Sequence, residues 1–307
     1  MRPLRSARLA LALLGLACAR LASAQGMHPL PLGPLPLHLR IAEADAVAIG
    51  TVEAIADGRI RVRGATALRG EPGESFEVKR APSKPPPLAV GVEAVFLLRG
   101  ARPPYLLVGD PKELVVLHDA ASARVWQDAL AQLLAASNDP EKLLALYLRW
   151  LDGSDETLRA SAAEALVDTR SKLAGLAEDA ALERARVALD GARPIEVRRV
   201  SAHLAATQLA GASALLRGLP GVAPDPQIVE AALVAGSLLH SPELPAALDR
   251  AFAHDDVEIR RRALRSAEVD WTGPIPAKVR AIAEHDADAG LRSEASQVIA
   301  GHASAKP

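Results

Sequence analysis

Five segments in the second half of the chain align with one another without gaps. They begin at Leu158, Val197, Ile228, Ile259 and Leu291, at intervals of 39, 31, 31 and 32 residues. Each begins with a bulky aliphatic residue and has a small residue four places later: Ala162, Ser201, Ala232, Ala263 and Ala295. Repeats of this length are typical of helical solenoids, in which each two-helix unit buries its apolar face against the next. The small residues predict helices that stack closely.

These segments resemble the HEAT repeat, in particular its short bacterial form. The resemblance covers about half of the chain and implies an all-α solenoid that binds protein partners. We expect the solenoid to span residues 122–302, followed by a polar tail at 303–307. Because the first interval is longer than the others, we also expect an extra turn or a lengthened helix between Leu166 and Arg193.

An Asp stands four residues before an Arg at the start of three of these helices. The pairs are Asp155 with Arg159, Asp256 with Arg260, and Asp288 with Arg292. Each Asp is placed to cap its helix, and each Arg lies one turn further on the same face.

The aligned arginines are the candidate partner-binding residues: Arg159, Arg198, Arg260 and Arg292. As a row along one face, they could bind the carboxylates of a partner. The alternative is that they pair within the stack and are structural. We interpret the run Arg260-Arg261-Arg262 as a solvated helix face rather than a nucleic-acid patch.

Two helices are predicted ahead of the repeats. Val125, Ala129, Leu133 and Leu134 would share one face of the first, and Pro140 would begin the second. The three tryptophans are most simply core or end-cap residues: Trp126, Trp150 and Trp271.

Residues 38–118 are predicted to form a small all-β domain. One short helix at 38–45 stands at its start, ahead of the strands. Six strands are predicted, at 46–55, 58–62, 76–79, 92–98, 105–108 and 114–117. Asp57-Gly58 is a common hairpin turn between the first two. Short strands at this spacing indicate a barrel or a sandwich.

The stretches AVAIGTVEAI, DGRIRVRGATALRGEPGESFEV and LLRG resemble bacterial domains similar to the netrin and tissue-inhibitor OB-type barrels. The resemblance covers about 75 residues and implies an OB-like fold. The tissue inhibitors use an N-terminal cysteine and disulfides. The single cysteine here is Cys18, so protease inhibition by that chemistry is not implied.

The first 24 residues have the order of a secretory signal peptide. Three arginines precede an apolar run at 9–19, and Ala22-Ser23-Ala24 follows, so we expect cleavage after Ala24 and a periplasmic or secreted protein. An uncleaved anchor and a lipoprotein acylated at Cys18 are the alternatives. Residues 25–37 are a Pro-rich leader. After cleavage we expect no stable membrane insertion.

The sequence offers little catalytic chemistry. It contains no G-x-S-x-G, H-E-x-x-H or C-x-x-C motif, and we expect neither an enzyme nor a cofactor. His254 and His285, in corresponding turns with nearby aspartates, are the best candidates for a divalent-metal site. The alternative, which we favour, is that the aspartates cap helices and the histidines are solvated.

Charge argues against polyanionic partners. Residues 152–307 hold 23 acidic and 18 basic residues, a net charge of −5, so no broad basic field attracts nucleic acid or anionic lipid.

The sequence therefore predicts an α+β protein of two domains, a small all-β barrel or sandwich followed by an all-α HEAT-like solenoid. The function we expect is non-catalytic protein binding or scaffolding in the bacterial cell envelope. One alternative is a lyase-like HEAT protein that handles a chromophore, although export and the missing cysteine count against it. The other is an envelope inhibitor or sensor that acts through the β domain.

Overall fold

A computed structural model describes residues 35–79, 88–109, 114–219 and 225–304, without the side chain of Thr169. These residues form two compact units that divide between Ala174 and Gly175. The expected signal peptide at 1–24, the leader as far as residue 34 and the last three residues of the tail lie outside the described residues. The α+β architecture, with a small barrel followed by a helical region, is the one that the sequence predicts.

The first unit contains a closed five-stranded barrel. Its strands are β1 (Ala46–Ala56), β2 (Arg59–Arg69), β3 (Ser75–Lys79), β4 (Glu93–Arg99) and β5 (Tyr105–Leu107), and a short β6 (Val116–Leu117) pairs with β4. The hydrogen-bonded order is β1-β2-β3-β5-β4, and β4 pairs again with β1, which closes the ring. The contact between β3 and β5 is parallel and the other pairs are antiparallel.

The hairpin at Asp57-Gly58 is confirmed, because both residues adopt the positive φ that a tight two-residue hairpin turn needs. Strand β2 is longer than predicted. Gly64 has φ of +60° and interrupts the alternation of side chains, so the pattern stops at residue 62 in the sequence. In the structure the strand continues past this irregularity, and Ala67 still pairs with Ala48 of β1.

Aromatic side chains fill the barrel. The ring of Phe76 meets those of Phe96 and Tyr105 edge to face, at centroid distances of 5.7 and 5.9 Å. A short helix, α1 (Leu37–Glu43), packs on β4. The Arg69 guanidinium donates to the carbonyls of Ile41 and Ala44 at the end of this helix, and so holds it to β2.

Three helices and one 3₁₀ turn complete the first unit. They are α2 (Ala120–Ala136), α3 (Pro140–Asp152), α4 (Glu156–Val167) and the 3₁₀ turn Thr169–Ser171. Pro140 begins α3, as predicted, and the Asp139 side chain caps this helix. The 3₁₀ turn is the extra turn that the long first interval predicts.

The predicted buried face of α2 is correct for Ala129 and Leu133 and wrong for Val125, which is 41% exposed. Trp126 and Leu130 are buried on this side of the helix instead. The large Trp126 ring buries more apolar area than Val125, and this rotates the helix. Trp126 and Trp150 are core residues, as predicted.

The second unit is solenoid-like. Its helices are α5 (Glu178–Leu189), α6 (Ile195–Ala205), α7 (Leu209–Gly218), α8 (Pro226–Leu238), α9 (Leu244–Phe252), α10 (Val257–Val269), α11 (Ile275–His285) and α12 (Ala289–Ser304). The even-numbered helices carry four of the aligned segments and pack in sequence, α6 on α8, α8 on α10 and α10 on α12. Helices α5, α7 and α9 pack in a second row. No helix within the described ranges is long and apolar enough to cross a membrane.

The predicted stacking positions are buried in every aligned segment. Zero exposure is found for all five small residues, Ala162, Ser201, Ala232, Ala263 and Ala295. The five leading aliphatic residues are at most 7% exposed. A side chain larger than Ala or Ser therefore has no free space at these positions.

We predict that Ala263→Leu in α10 destabilises the protein by roughly 1–3 kcal/mol or more, because three added carbons must displace the neighbouring helix. The matched control is Ala300→Leu in α12, where the side chain is exposed and the cost stays within about 0.5 kcal/mol. Urea denaturation followed by circular dichroism measures both. Equal unfolding midpoints for the two variants would contradict close stacking at Ala263.

Candidate functional site

The even-numbered helices of the second unit carry a set of side chains at equivalent repeat positions outside the buried stacking position. Counting from each leading aliphatic residue, the side chains three and six places later turn away from the buried stacking position. We call these eight residues the repeat face: Val200, His203, Ala231, Val234, Arg262, Arg265, Glu294 and Gln297. They lie on four helices that pack side by side, so they form a single strip.

One half of the repeat face is largely apolar. Val200 and His203 on α6 occupy the same repeat positions as Ala231 and Val234 on α8, and all but Val200 are partly exposed. Burial holds the pKa of His203 below its ordinary value, which favours the neutral ring. This half can therefore contact apolar side chains without desolvating a charge.

The other half is crossed by a network of ion pairs. Arg262 pairs with Glu230 at 2.5 Å and with Glu258 at 2.7 Å. Arg261 pairs with Glu258 and with Glu294, both at 2.9 Å. The network thus joins α8, α10 and α12, and its members are 22–41% exposed.

The pKa values agree with strong pairing. Burial acts to raise the pKa of Glu258, but hydrogen bonds and charge from Arg261 and Arg262 hold it below its ordinary value. Hydrogen bonds to Glu258 and Glu294 raise the pKa of Arg261. The predicted solvated face at Arg260-Arg261-Arg262 is therefore incorrect, because all three guanidiniums are partly buried and paired with carboxylates.

Arg265 lies one turn beyond this network. Its side chain is partly exposed, and no hydrogen bond or ion pair to it is found within the described residues. Within the described residues it is thus a partly exposed cation of the repeat face without an internal counter-ion.

The four predicted partner-binding arginines donate to backbone carbonyls. Arg159 donates to Gly153 at 3.1 Å and Arg198 to Ala188 at 3.0 Å. Arg260 donates to His254 at 2.8 Å, and Arg292 to Asp286 at 2.6 Å. In three of the four, the acceptor lies six residues before the arginine, in the turn that precedes its helix. These contacts favour the structural alternative, and partner binding by this row stays a prediction.

The predicted Asp caps are present. Asp155, Asp256 and Asp288 each accept a backbone N–H from the first turn of their helix, at 2.7–2.8 Å. The arginine four residues later is directed past its own Asp to the preceding turn. Cap and arginine together fix where each helix begins.

Arg260 also forms an ion pair that is largely buried. Its Nε and Nη2 donate to both oxygens of Asp286, at 2.8 and 3.0 Å, and the two side chains are 12% and 5% exposed. Burial acts to raise the pKa of Asp286, but Arg260 and the Asp288 N–H outweigh it and hold the pKa low. The pair links consecutive repeats.

We predict that Asp286→Asn destabilises the protein by roughly 3–5 kcal/mol, because it leaves the Arg260 charge buried without its counter-ion. The control is Glu183→Gln, which breaks the exposed pair with Arg186 and costs less than about 1 kcal/mol. Chemical denaturation of both variants at neutral pH provides the comparison. A similar small loss for both would show that the buried pair has no special role.

His254 and His285 line the same open groove, with Arg260 and Asp286 beside them. Nδ1 of His254 accepts the Asp256 N–H at 3.0 Å, and the side chain of His285 is 78% exposed. Among the residues that the structure describes, no group of three or more His, Cys, Asp or Glu side chains could hold a metal ion. The groove therefore gives no structural support to the metal hypothesis.

A buried polar cluster in the first unit has no counterpart in the sequence predictions. It consists of His38 and Arg40 on α1, Tyr147 on α3, and Asp168, Arg170 and Ser171 at the 3₁₀ turn. Nδ1 of His38 lies 2.9 Å from the Tyr147 hydroxyl, in a hydrogen bond whose donor depends on the ring tautomer. Arg170 pairs with Asp168 at 2.5 Å. Nothing in the local pattern around His38 indicates a partner 109 residues away.

Comparisons with known proteins do not name a family for this chain. Searches of protein-family models, curated proteins and solved structures found no match.

Proposed function

We propose that this chain is a non-catalytic protein-binding or scaffolding protein of the bacterial cell envelope, and that its partner binds the repeat face. The observation that carries the proposal is the composition of that face. Apolar side chains on α6 and α8 lie next to an ion-pair network and to Arg265, across helices that pack against one another. Protein interfaces combine apolar contacts and arginine in this way.

The face also suggests the chemistry of the partner. Ala231 and Val234 suit an apolar anchor, and Arg265 suits a carboxylate next to it. Arg261 and Arg262 already have carboxylate partners within the stack. The partner we expect is thus a protein segment with exposed apolar side chains and one or a few acidic residues.

The two proposed family resemblances are each supported by one feature of the fold. Repeated two-helix units that stack in two rows support the resemblance to short bacterial HEAT repeats. The closed five-stranded ring supports the resemblance to OB-type barrels. The proposed envelope location depends on the expected signal peptide at residues 1–24.

A second candidate function, an inhibitor or sensor acting through the barrel, is favoured by one observation. Arg59, Arg61 and Arg63 all point outward from β2, with Lys79 opposite Arg59 on β3. Glu77 pairs with Arg59 at 2.7 Å and reaches Arg61 at 3.5 Å. The row keeps an excess of positive charge and could bind an anionic ligand.

Site-directed crosslinking in the full chain tests both. In a Cys18→Ser background, a photoreactive label on Val234→Cys or Arg265→Cys should give the same crosslinked protein in envelope extract. A label on Leu182→Cys of α5, exposed but off the repeat face, should give none. Val234→Asp should lower retention of that partner at least about tenfold without changing the melting temperature.

The other outcomes are equally informative. Crosslinks from Arg63→Cys but not from Val234→Cys would replace the solenoid proposal with the barrel candidate. A coloured small molecule that copurifies with the chain would support the lyase-like alternative. Equal crosslinking from Leu182→Cys would mean that capture is not specific to the repeat face.

A further inference from the structure

We infer that the segment of the partner that binds the repeat face is an amphipathic α-helix, which docks over α8 and α10 with its apolar stripe on α8 and an acidic side chain on Arg265. This inference rests on the proposed function, because it names the kind of segment that the repeat face would bind. The docking surface consists of Ala231, Val234 and Leu238 on α8 with Arg265 and Val269 on α10, and we call it the α8–α10 surface. All five side chains are partly exposed.

These five side chains share one side of two neighbouring helices. On α8, Val234 follows Ala231 by three residues, and Leu238 follows Val234 by four. On α10, Val269 follows Arg265 by four. Residues at these spacings lie on the same face of a helix. Leu238 and Val269 therefore extend the repeat face by one turn and add an apolar side chain on each helix.

Two contacts hold α8 and α10 together beside this surface. Oγ of Ser237 lies 3.1 Å from Oγ of Ser266, and both residues are buried. Two turns closer to the beginning of α8, Glu230 pairs with Arg262 at 2.5 Å. A docking segment thus meets a surface whose two halves are already joined, which reduces the ordering that binding requires.

The side chains of α8 determine which backbone conformation an occupant can have. Ala231, Val234 and Leu238 contain no side-chain atom that forms hydrogen bonds, and α8 uses its own backbone groups within the helix. An extended segment lying on these residues would bury N–H and C=O groups without partners, which is unfavourable. A helix satisfies these groups internally, so its apolar side chains can contact α8 at no such cost.

Arg265 sets the place of the acidic residue. No hydrogen bond or ion pair to it is found within the described residues, whereas Arg262, one turn earlier, pairs with Glu230. Because Arg262 meets Glu230 and Ser266 meets Ser237, Arg265 lies level with the second half of α8. A carboxylate at the border of the partner's apolar stripe would therefore reach it.

The expected sequence pattern of the partner follows from this arrangement. Apolar residues should stand at i, i+3 or i+4, and i+7, as in other helices that bury one face. Aspartate or glutamate should stand next to this stripe. Neither a period of two nor a run of many acidic residues is expected.

A phage-displayed library of unbiased linear peptides, about 16 residues or four helical turns long, tests this pattern when it is selected on the full chain. Peptides that bind a Val234→Asp chain equally well are discarded. The retained peptides should show the expected spacing and become helical on binding, as measured by circular dichroism. A proline at a central position outside the apolar stripe should weaken binding at least about tenfold, because it breaks the helix and leaves the contacting side chains in place.

A charge exchange tests the acidic contact. Arg265→Glu should weaken binding of the retained peptides about tenfold, and replacing the acidic residue of the peptide by lysine should restore it. The matched control is Leu182→Asp on α5, exposed but off the repeat face, which should leave binding unchanged. The exchange needs only Arg265→Glu, so the test remains available where Val234→Asp does not fold.

The outcomes separate this inference from the proposed function. Peptides that depend on Val234 but tolerate the central proline, or that repeat with a period of two, would overturn the helix and keep the repeat face as a binding surface. A selection that yields no peptide sensitive to Val234→Asp or Arg265→Glu would also overturn the inference. The crosslinking experiment then decides independently whether a protein binds the repeat face.

Discussion

Close stacking in the helical region depends on one small side chain in each aligned segment. Four places after the leading aliphatic residue, Ala or Ser is fully buried in all five segments. In α6, α8, α10 and α12 this position sets which face of each helix turns inward, because residues three and four apart share a face. The opposite side is then fixed as well, and the repeat face follows from the same constraint that builds the core.

Local patterns predicted the parts of the fold whose contacts are close in sequence. Asp256 accepts the backbone N–H of Glu258, two residues later, and Asp57-Gly58 joins the strands on either side of it, so both features are visible in a short window of sequence. The phase of α2 was missed because Val125 and Trp126 both fit an apolar stripe, and only packing decides between them. The full length of β2 is not predicted because Gly64 interrupts the alternation of buried and exposed side chains. The backbone pairing of β2 with β1 nevertheless continues beyond Gly64.

Polar contacts were harder to predict, because several acceptors compete for each donor. Arg260 lies one turn from Asp256, yet it donates to the preceding turn and to Asp286, 26 residues further on. The repeats place the four arginines at equivalent positions, but they do not indicate which backbone carbonyls these arginines contact. The His38 cluster is the extreme case, since α1, α3 and the 3₁₀ turn come together only when the first unit has folded.

Charge placement also bears on what can bind. The run Arg260-Arg261-Arg262 would be a strong basic patch on an isolated helix, but Asp286, Glu294 and Glu230 of neighbouring repeats pair with it. Pairing between repeats therefore removes the feature that would attract a polyanion, and it stiffens the stack at the same time. The proposed partner of the repeat face would therefore gain little from carrying many charges. It would gain most from apolar contact with α6 and α8, with Arg265 adding a single directional interaction.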